Sequence, residues 1–256
     1  AEALDAAEAA ALANPASAAL ALRHASALWH GGKGLDAAIA ALEAARPAVR
    51  AEERYLIDLE RGRLFWILGD GARSQQAYEA VLGYQADSPE GLWGLAAALA
   101  LEGRWEEAWL RYEEAMRLRT GVVDLRADFA RDLLRAGEIV RAREQVDAAL
   151  LLDPEDPTAL ALLAWAQLEQ GDPAASGVSA ARALELGPWC DLARIIWARA
   201  QTSAGAPRLA EEILAPLRER LDAGAPPEYV YRPKWGRYDE VHGLPEVERA
   251  LLAGGK

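Results

Sequence analysis

The side chains that most often bind metals or act as nucleophiles are scarce in this chain and poorly spaced. It has three histidines and one cysteine in 256 residues. His24 and His30 lie six residues apart, whereas two metal ligands on one helix face are usually four apart, and His242 is remote in sequence. No histidine neighbours Cys190 to activate its thiol, so we expect a buried structural cysteine. These residues predict neither a metal site nor a nucleophile.

Two further patterns resemble reactive motifs without meeting their requirements. Residues 31–34, Gly-Gly-Lys-Gly, lack the preceding strand and the Gly-Lys-Ser/Thr ending of a phosphate-binding loop, so we interpret them as a turn between helices. Acidic pairs such as Glu106 with Glu107 are expected on solvated helix faces. We therefore predict no enzyme activity and no cofactor.

Composition limits the class of partner. The net charge of -12 and the isoelectric point near 4.9 disfavour nucleic acid, whose phosphates are usually met by a basic surface. Charged residues interrupt every apolar run before the roughly 18 residues that span a bilayer, so we expect no membrane insertion. The partner classes that remain include proteins, peptides and small molecules.

Source and compartment are less constrained. The chain begins at Ala1, which fits a removed signal peptide as well as a trimmed sequence, and we favour the cell envelope over the cytoplasm. Asn14 is the only asparagine and Met116 the only methionine. This scarcity of thermolabile side chains is typical of thermophiles, although a GC-rich genome gives the same bias.

Glycine recurs with a fixed period over much of the chain. Successive members of one series are 34 residues apart: Gly69, Gly103, Gly137, Gly171 and Gly205. A constant period of about this length indicates stacked helix-turn-helix units. These repeated helix pairs are therefore the elements that would position any candidate site.

The clearest unit, residues 89–122, predicts two amphipathic helices. Its apolar stripes have helical spacing: Leu92, Leu95, Ala96 and Leu99, followed by Ala108, Tyr112 and Ala115. Gly103 falls between them, where a residue without Cβ ends a helix at a positive φ. Such a pair cannot bury its apolar face alone and needs neighbours.

This unit resembles a tetratricopeptide repeat, and the resemblance extends over most of the chain. It implies an all-α fold, a right-handed superhelical solenoid of antiparallel helix pairs. The expected organisation is an incomplete repeat or capping helix (1–17), six repeats (18–51, 55–88, 89–122, 123–156, 157–190 and 191–224) and a cap (225–256) rich in proline and aromatic residues, with a short helix from Pro245.

Some positions depart from the repeat pattern. Asp58 and Arg61 occupy two usually apolar positions, so the repeat 55–88 is degenerate. Gln167 and Gln201 share a position that holds leucine in earlier units, which predicts amide pairing within the stack or a local bend.

The resemblance also places a candidate binding groove. In the tetratricopeptide family the first helix of each pair lines a concave surface, and the matching positions are Arg23, Trp29, Arg63, Trp66, Trp93, Asp128, Arg131, Arg135, Trp165 and Arg199. Tryptophan and arginine are enriched among binding hot spots. The alternative is that the tryptophans pack against adjacent repeats.

These residues predict a non-catalytic scaffold that binds an extended peptide or partner segment. The arginines favour acidic and apolar residues in the partner, whereas the Lys and Asn clamp that some family members use for a C-terminal carboxylate is missing here. A monomer is expected. The alternatives are a self-associating structural solenoid and a carrier of a small apolar ligand.

Overall fold

The computed structural model describes residues 2–222, 231–232 and 239–240. These residues form thirteen α-helices, with two short strands in the C-terminal segment. The helices are α1 (Glu2–Ala13), α2 (Ala18–Leu28), α3 (Leu35–Ala45), α4 (Arg54–Ile67), α5 (Gly71–Tyr84), α6 (Pro89–Leu101), α7 (Trp105–Leu118), α8 (Val123–Ala136), α9 (Ile139–Leu152), α10 (Pro157–Glu169), α11 (Pro173–Leu186), α12 (Asp191–Ser203) and α13 (Pro207–Asp222).

This order of helices confirms the predicted all-helical architecture for residues 2–222. A π turn (Trp29–Lys33) joins α2 to α3, and a 3-10 turn (Ala51–Glu53) precedes α4. Strands β1 (Tyr231–Arg232) and β2 (Asp239–Glu240) pair antiparallel, which the prediction did not include. The rest of the predicted aromatic cap lies outside the described residues.

The chain divides into two compact units, Ala1–Thr120 and Gly121–Lys256. The first unit holds α1 to α7 and the second holds α8 to α13. Within each unit, consecutive helices pack against each other, as α6 does on α7 and α10 on α11. No helix in the described part of the chain is long and apolar enough to cross a membrane.

The periodic glycines follow the first helices of five successive pairs, α4, α6, α8, α10 and α12. All five have positive φ, between 73° at Gly103 and 84° at Gly171. Beyond Gly103, the backbone N–H of Arg104 donates to the carbonyl oxygen of Leu99 over 3.0 Å, which pairs one of the helix's terminal carbonyls. A residue with Cβ rarely adopts this φ. The predicted role of Gly103 as a helix end is therefore confirmed.

In the first unit, the Tyr78 ring of α5 lies between two glycines of neighbouring helices. A Cβ built at Gly62 of α4 would approach the ring to 2.8 Å, and one built at Gly94 of α6 to 2.1 Å. The ring is 8% exposed and packs with Leu95 and Leu99. The two missing side chains thus provide the space in which Tyr78 packs.

The charged residues of the degenerate repeat form a buried ion-pair cluster. Asp58 is fully buried, and the guanidinium of Arg46 donates to both its carboxylate oxygens over 2.8 Å. Arg61 donates to Asp58 over 2.9 Å and to the exposed Glu43 over 3.1 Å. The hydrogen bonds that Arg46 donates to Asp58 raise the pKa of Arg46. Opposite charges therefore replace the usual apolar contact between the end of α3 and α4.

The second unit shows how one of the unusual glutamines is accommodated. The hydroxyl of Ser179 on α11 donates to the amide oxygen of Gln167 on α10 over 2.8 Å. Gln167 is therefore paired by a hydroxyl and not by a second amide, whereas the alternative of a local bend stays a prediction.

The N-cap of α5 provides a test of pH dependence. The carboxylate of Asp70 accepts the backbone N–H of Arg73 over 2.9 Å and its Nε–H over 2.6 Å, and these contacts lower the pKa of Asp70 from its ordinary value of 3.8. We expect Asp70→Ala to lower the free energy of unfolding by about 1 kcal/mol at neutral pH. Because the folded pKa is depressed, this stabilisation is present above pH 3.8 and is lost as the pH falls through the folded pKa. Urea unfolding of the native chain and the variant at a series of pH values measures the difference in free energy of unfolding. A difference that grows on acidification would contradict the assignment.

Candidate functional site

Three of the residues considered for catalysis, His24, His30 and Cys190, lie in the described part of the chain. His30 is exposed, and its Nδ1 lies 2.8 Å from the carbonyl oxygen of Ser26, whereas His24 is half-buried. Cys190 is 3% exposed, with its thiol 3.8 Å from the carbonyl oxygen of Pro157. Among the described residues, no three His, Cys, Asp or Glu side chains are grouped to hold a metal ion. His242 lies outside them.

In the first unit, three side chains from two elements form a compact cluster. The guanidinium of Arg63 on α4 lies over the ring of Trp29, at the end of α2, with 5.2 Å between Cζ and the ring centroid. The same guanidinium donates to both carboxylate oxygens of Glu60, over 3.0 Å and 2.5 Å. Cation–π stacking and a bidentate ion pair hold Arg63 in one orientation.

The other predicted residues of the first unit have different environments. Trp66 on α4 is 5% exposed, Trp93 on α6 is half-buried and Arg23 on α2 is exposed. Trp66, like Trp29 at 9% exposure, contributes mainly to packing. The structure thus supports the packing alternative for these two rings and leaves Trp93 and Arg23 accessible.

In the second unit, the predicted residues of α8 form an alternating chain of charges. Arg131 lies 2.6 Å from Asp128 and 3.5 Å from Asp132, and Arg135 lies 3.1 Å from the same Asp132. The side chain of Asp132 is 1% exposed and that of Arg131 is 9% exposed. Two arginines therefore share a carboxylate that solvent hardly reaches.

Trp165 and Arg199 meet at one carboxylate in the same unit. The indole N–H of Trp165 on α10 donates to Glu169 over 3.2 Å, and the guanidinium of Arg199 on α12 lies 3.6 Å from the same carboxylate oxygen. Trp165 is 3% exposed, so its ring is part of the core. Glu169 thereby connects the first helices of two successive pairs.

Sequence reasoning found the arginines and missed the carboxylates that hold them: Glu60, Asp132 and Glu169. The spacing of one of these carboxylates, Glu60, could have been recognised in the sequence. Glu60 precedes Arg63 by three residues, and Asp128 precedes Arg131 by three, two full periods later in the chain. Residues three apart are neighbours on a helix. Reading the two positions together would have predicted ion pairs at both.

Known proteins share this repeat architecture. The tetratricopeptide repeat family model matches residues 59–120 and 127–188. A thermophilic tetratricopeptide repeat protein of Thermus thermophilus is 21% identical, covers 71% of this chain and 97% of its own length, and has a TM-score of 0.61. PilW, a type IV pilus biogenesis factor, is 16% identical, with coverage of 79% and 93% and a TM-score of 0.63.

MamA from Desulfovibrio magneticus RS-1 is similar over a shorter stretch, with 16% identity, coverage of 66% and 96%, and a TM-score of 0.51. No curated protein matches in sequence. At these identities the structural neighbours show the fold alone, and the family model adds the repeat type. Tetratricopeptide repeats act as protein-interaction scaffolds and are typically non-catalytic. With its periodic glycines, paired helices and two matched repeat segments, this chain belongs to the tetratricopeptide repeat family.

Proposed function

We propose that the chain is a non-catalytic scaffold that binds an extended segment of another protein through the arginines of its first helices. The observation that carries the proposal is the fixed guanidinium of Arg63, held between the Trp29 ring and the Glu60 carboxylate. An equivalent ion pair joins Arg131 to Asp128 in the second unit. Side chains fixed before binding lose less conformational entropy when a ligand arrives.

The ion pairs also bear on the chemistry of the partner. A guanidinium has five N–H donors, so it can pair with one intramolecular carboxylate and still add a ligand oxygen. Because Arg63, Arg131, Arg135 and Arg199 each lie beside an acidic side chain, the first-helix surfaces gain little net positive charge from them. We propose a partner segment that combines acidic with apolar residues and binds with a modest dependence on salt.

Substitution of the three periodic arginines tests this function. We expect Arg63→Ala, Arg131→Ala and Arg199→Ala together to weaken binding of peptides selected by the native chain at least tenfold, because hot-spot arginines typically contribute more than about 1.4 kcal/mol. The probes are peptides of roughly 12 residues from a random display library, long enough to lie across more than one helix. Fluorescence anisotropy at two salt concentrations gives the affinities.

The matched control removes arginines that form similar ion pairs on second helices. Arg143 pairs with Asp147, Arg182 with Glu185 and Arg218 with Glu211. Their triple alanine variant should bind the selected peptides like the native chain. Equal affinity and salt dependence in the first-helix variant would refute the proposed surface. Light scattering over a concentration series should show a monomer, and growth in mass would favour the self-association alternative.

A further inference from the structure

The first unit contains a cleft that none of the predicted groove residues lines. Its volume is about 590 Å³, within the range of roughly 300–1,000 Å³ that is usual for ligand sites. It lies between the second helices α5 and α7, and α6 contributes to its floor. The lining residues are Glu79, Leu82, Ala86, Asp87, Leu92, Leu95, Arg111, Glu114, Arg117 and Leu118.

The floor of this α5–α7 cleft is apolar and partly open to solvent. Leu92 and Leu95 of α6 are each 6% exposed, and Leu82 of α5 is half-buried. Leu118, near the end of α7, is 49% exposed. A bulky aliphatic side chain entering the cleft would therefore remove water from an existing leucine surface and cover Leu118.

The two walls of the cleft carry opposite charge. The α5 side has two carboxylates, Glu79, which accepts a hydrogen bond from the neutral Gln75 amide over 2.7 Å, and the exposed Asp87 in the following turn. The α7 side has Arg111 and Arg117 around a single carboxylate, Glu114, at 2.6 Å and 4.0 Å. The α7 wall is thus net positive and the opposite wall net negative.

We propose that the cleft is a docking site for a short amphipathic helix of a partner protein. Such a helix places leucine-sized side chains against Leu82, Leu95 and Leu118, with basic residues along its flank facing Glu79 and acidic residues along its flank facing Arg117. A helix lying in an apolar groove is an established mode of recognition, in which anchors recur at spacings of three and four. The opposite charges of the walls select a partner with opposite flanks and determine its direction.

Designed peptides test the proposal on the full chain. The probes are acetylated helical peptides of about 12 residues with leucine anchors at helical spacing. One has a lysine flank and a glutamate flank, a second has lysine on both flanks, a third has glutamate on both, and a fourth is the first with serine anchors. Titration is followed by the ¹³C methyl resonances of the leucines. We expect the first peptide to shift Leu82, Leu95 and Leu118 and to bind at least about fivefold more tightly than the others.

Variants assign the binding to this cleft. Leu118→Ser should abolish the shifts, and because Leu118 is half exposed the variant should remain folded. Leu152→Ser is the matched control, since Leu152 lies one period later on α9, is 46% exposed and is outside the cleft. The double variant Arg111→Glu with Arg117→Glu makes the α7 wall acidic. It should therefore bind the peptide with lysine on both flanks most tightly. Equal binding of all flank patterns, or binding of the serine peptide, would overturn the proposal. It would also be overturned if decanoate, used as a small apolar ligand, bound more tightly than any peptide.

Discussion

Asp58→Asn is expected to lower the free energy of unfolding by about 3 kcal/mol, because it removes the charge that neutralises Arg46 and Arg61 while keeping the shape of the side chain. Asp58 is fully buried, whereas the side chains of the two arginines are 33% and 21% exposed. Their partial access to water places the cost near the low end of the range for a broken buried pair. Urea unfolding of the native chain and the variant measures the difference.

Two further variants distinguish the effect of breaking the ion pair from the effect of changing residue 58 itself. Glu43→Gln removes the outer partner of Arg61 and should cost less than about 1 kcal/mol, because the Glu43 side chain is 48% exposed. Replacing the cluster as a whole, by Arg46→Met, Asp58→Leu and Arg61→Leu, should restore most of the stability lost in Asp58→Asn, since apolar groups avoid the cost of desolvating charge. If the triple variant were less stable than Asp58→Asn, apolar side chains could not replace the charged ones at this contact.

Gly94→Ala is expected to destabilise the chain by about 1–3 kcal/mol, the usual cost of overpacking a core. Its Cβ would lie 2.1 Å from the Tyr78 ring, and Gly62 limits movement of the ring on the other side. The matched control is Gly83→Ala on α5, where the new methyl group has no neighbour within 4 Å and should stabilise by about 0.4–1 kcal/mol.

A double-mutant cycle assigns the effect of Gly94→Ala to the ring. In a Tyr78→Ala background the clash is absent, so Gly94→Ala should be neutral or slightly stabilising because alanine favours helix. Thermal unfolding of the four proteins gives the coupling free energy. A penalty of equal size in both backgrounds would place the strain elsewhere, for instance in the backbone of α6.

The periodic features of the molecule were predictable from sequence, because each repeats a local requirement. A glycine every 34 residues marks a turn with positive φ, and the apolar stripes on either side predict the paired helices. These requirements involve residues within one turn of each other. The periodic features can therefore be predicted without knowledge of tertiary contacts.

The partners of the charged residues were predictable only in part. Arg63 with Glu60 follows helical spacing, whereas Arg46 reaches Asp58 from beyond the end of α3, and Arg199 meets Glu169 from another helix pair. Contacts between helices depend on crossing angles and side-chain rotamers that residue spacing does not encode. The burial of Trp66 and Trp165 has the same origin, since a position that faces a groove in one repeat can be covered by a neighbour in another.

The packing of Tyr78 between Gly62 and Gly94 also links three positions in evolution. Alanine at either glycine position is costly while the tyrosine is present, and loss of the tyrosine alone leaves a cavity. A first substitution at any of the three sites is therefore costly, and a change at one site favours a compensating change at another. A smaller residue at position 78 would free both glycine positions to change, so we expect the three positions to vary together among homologous chains.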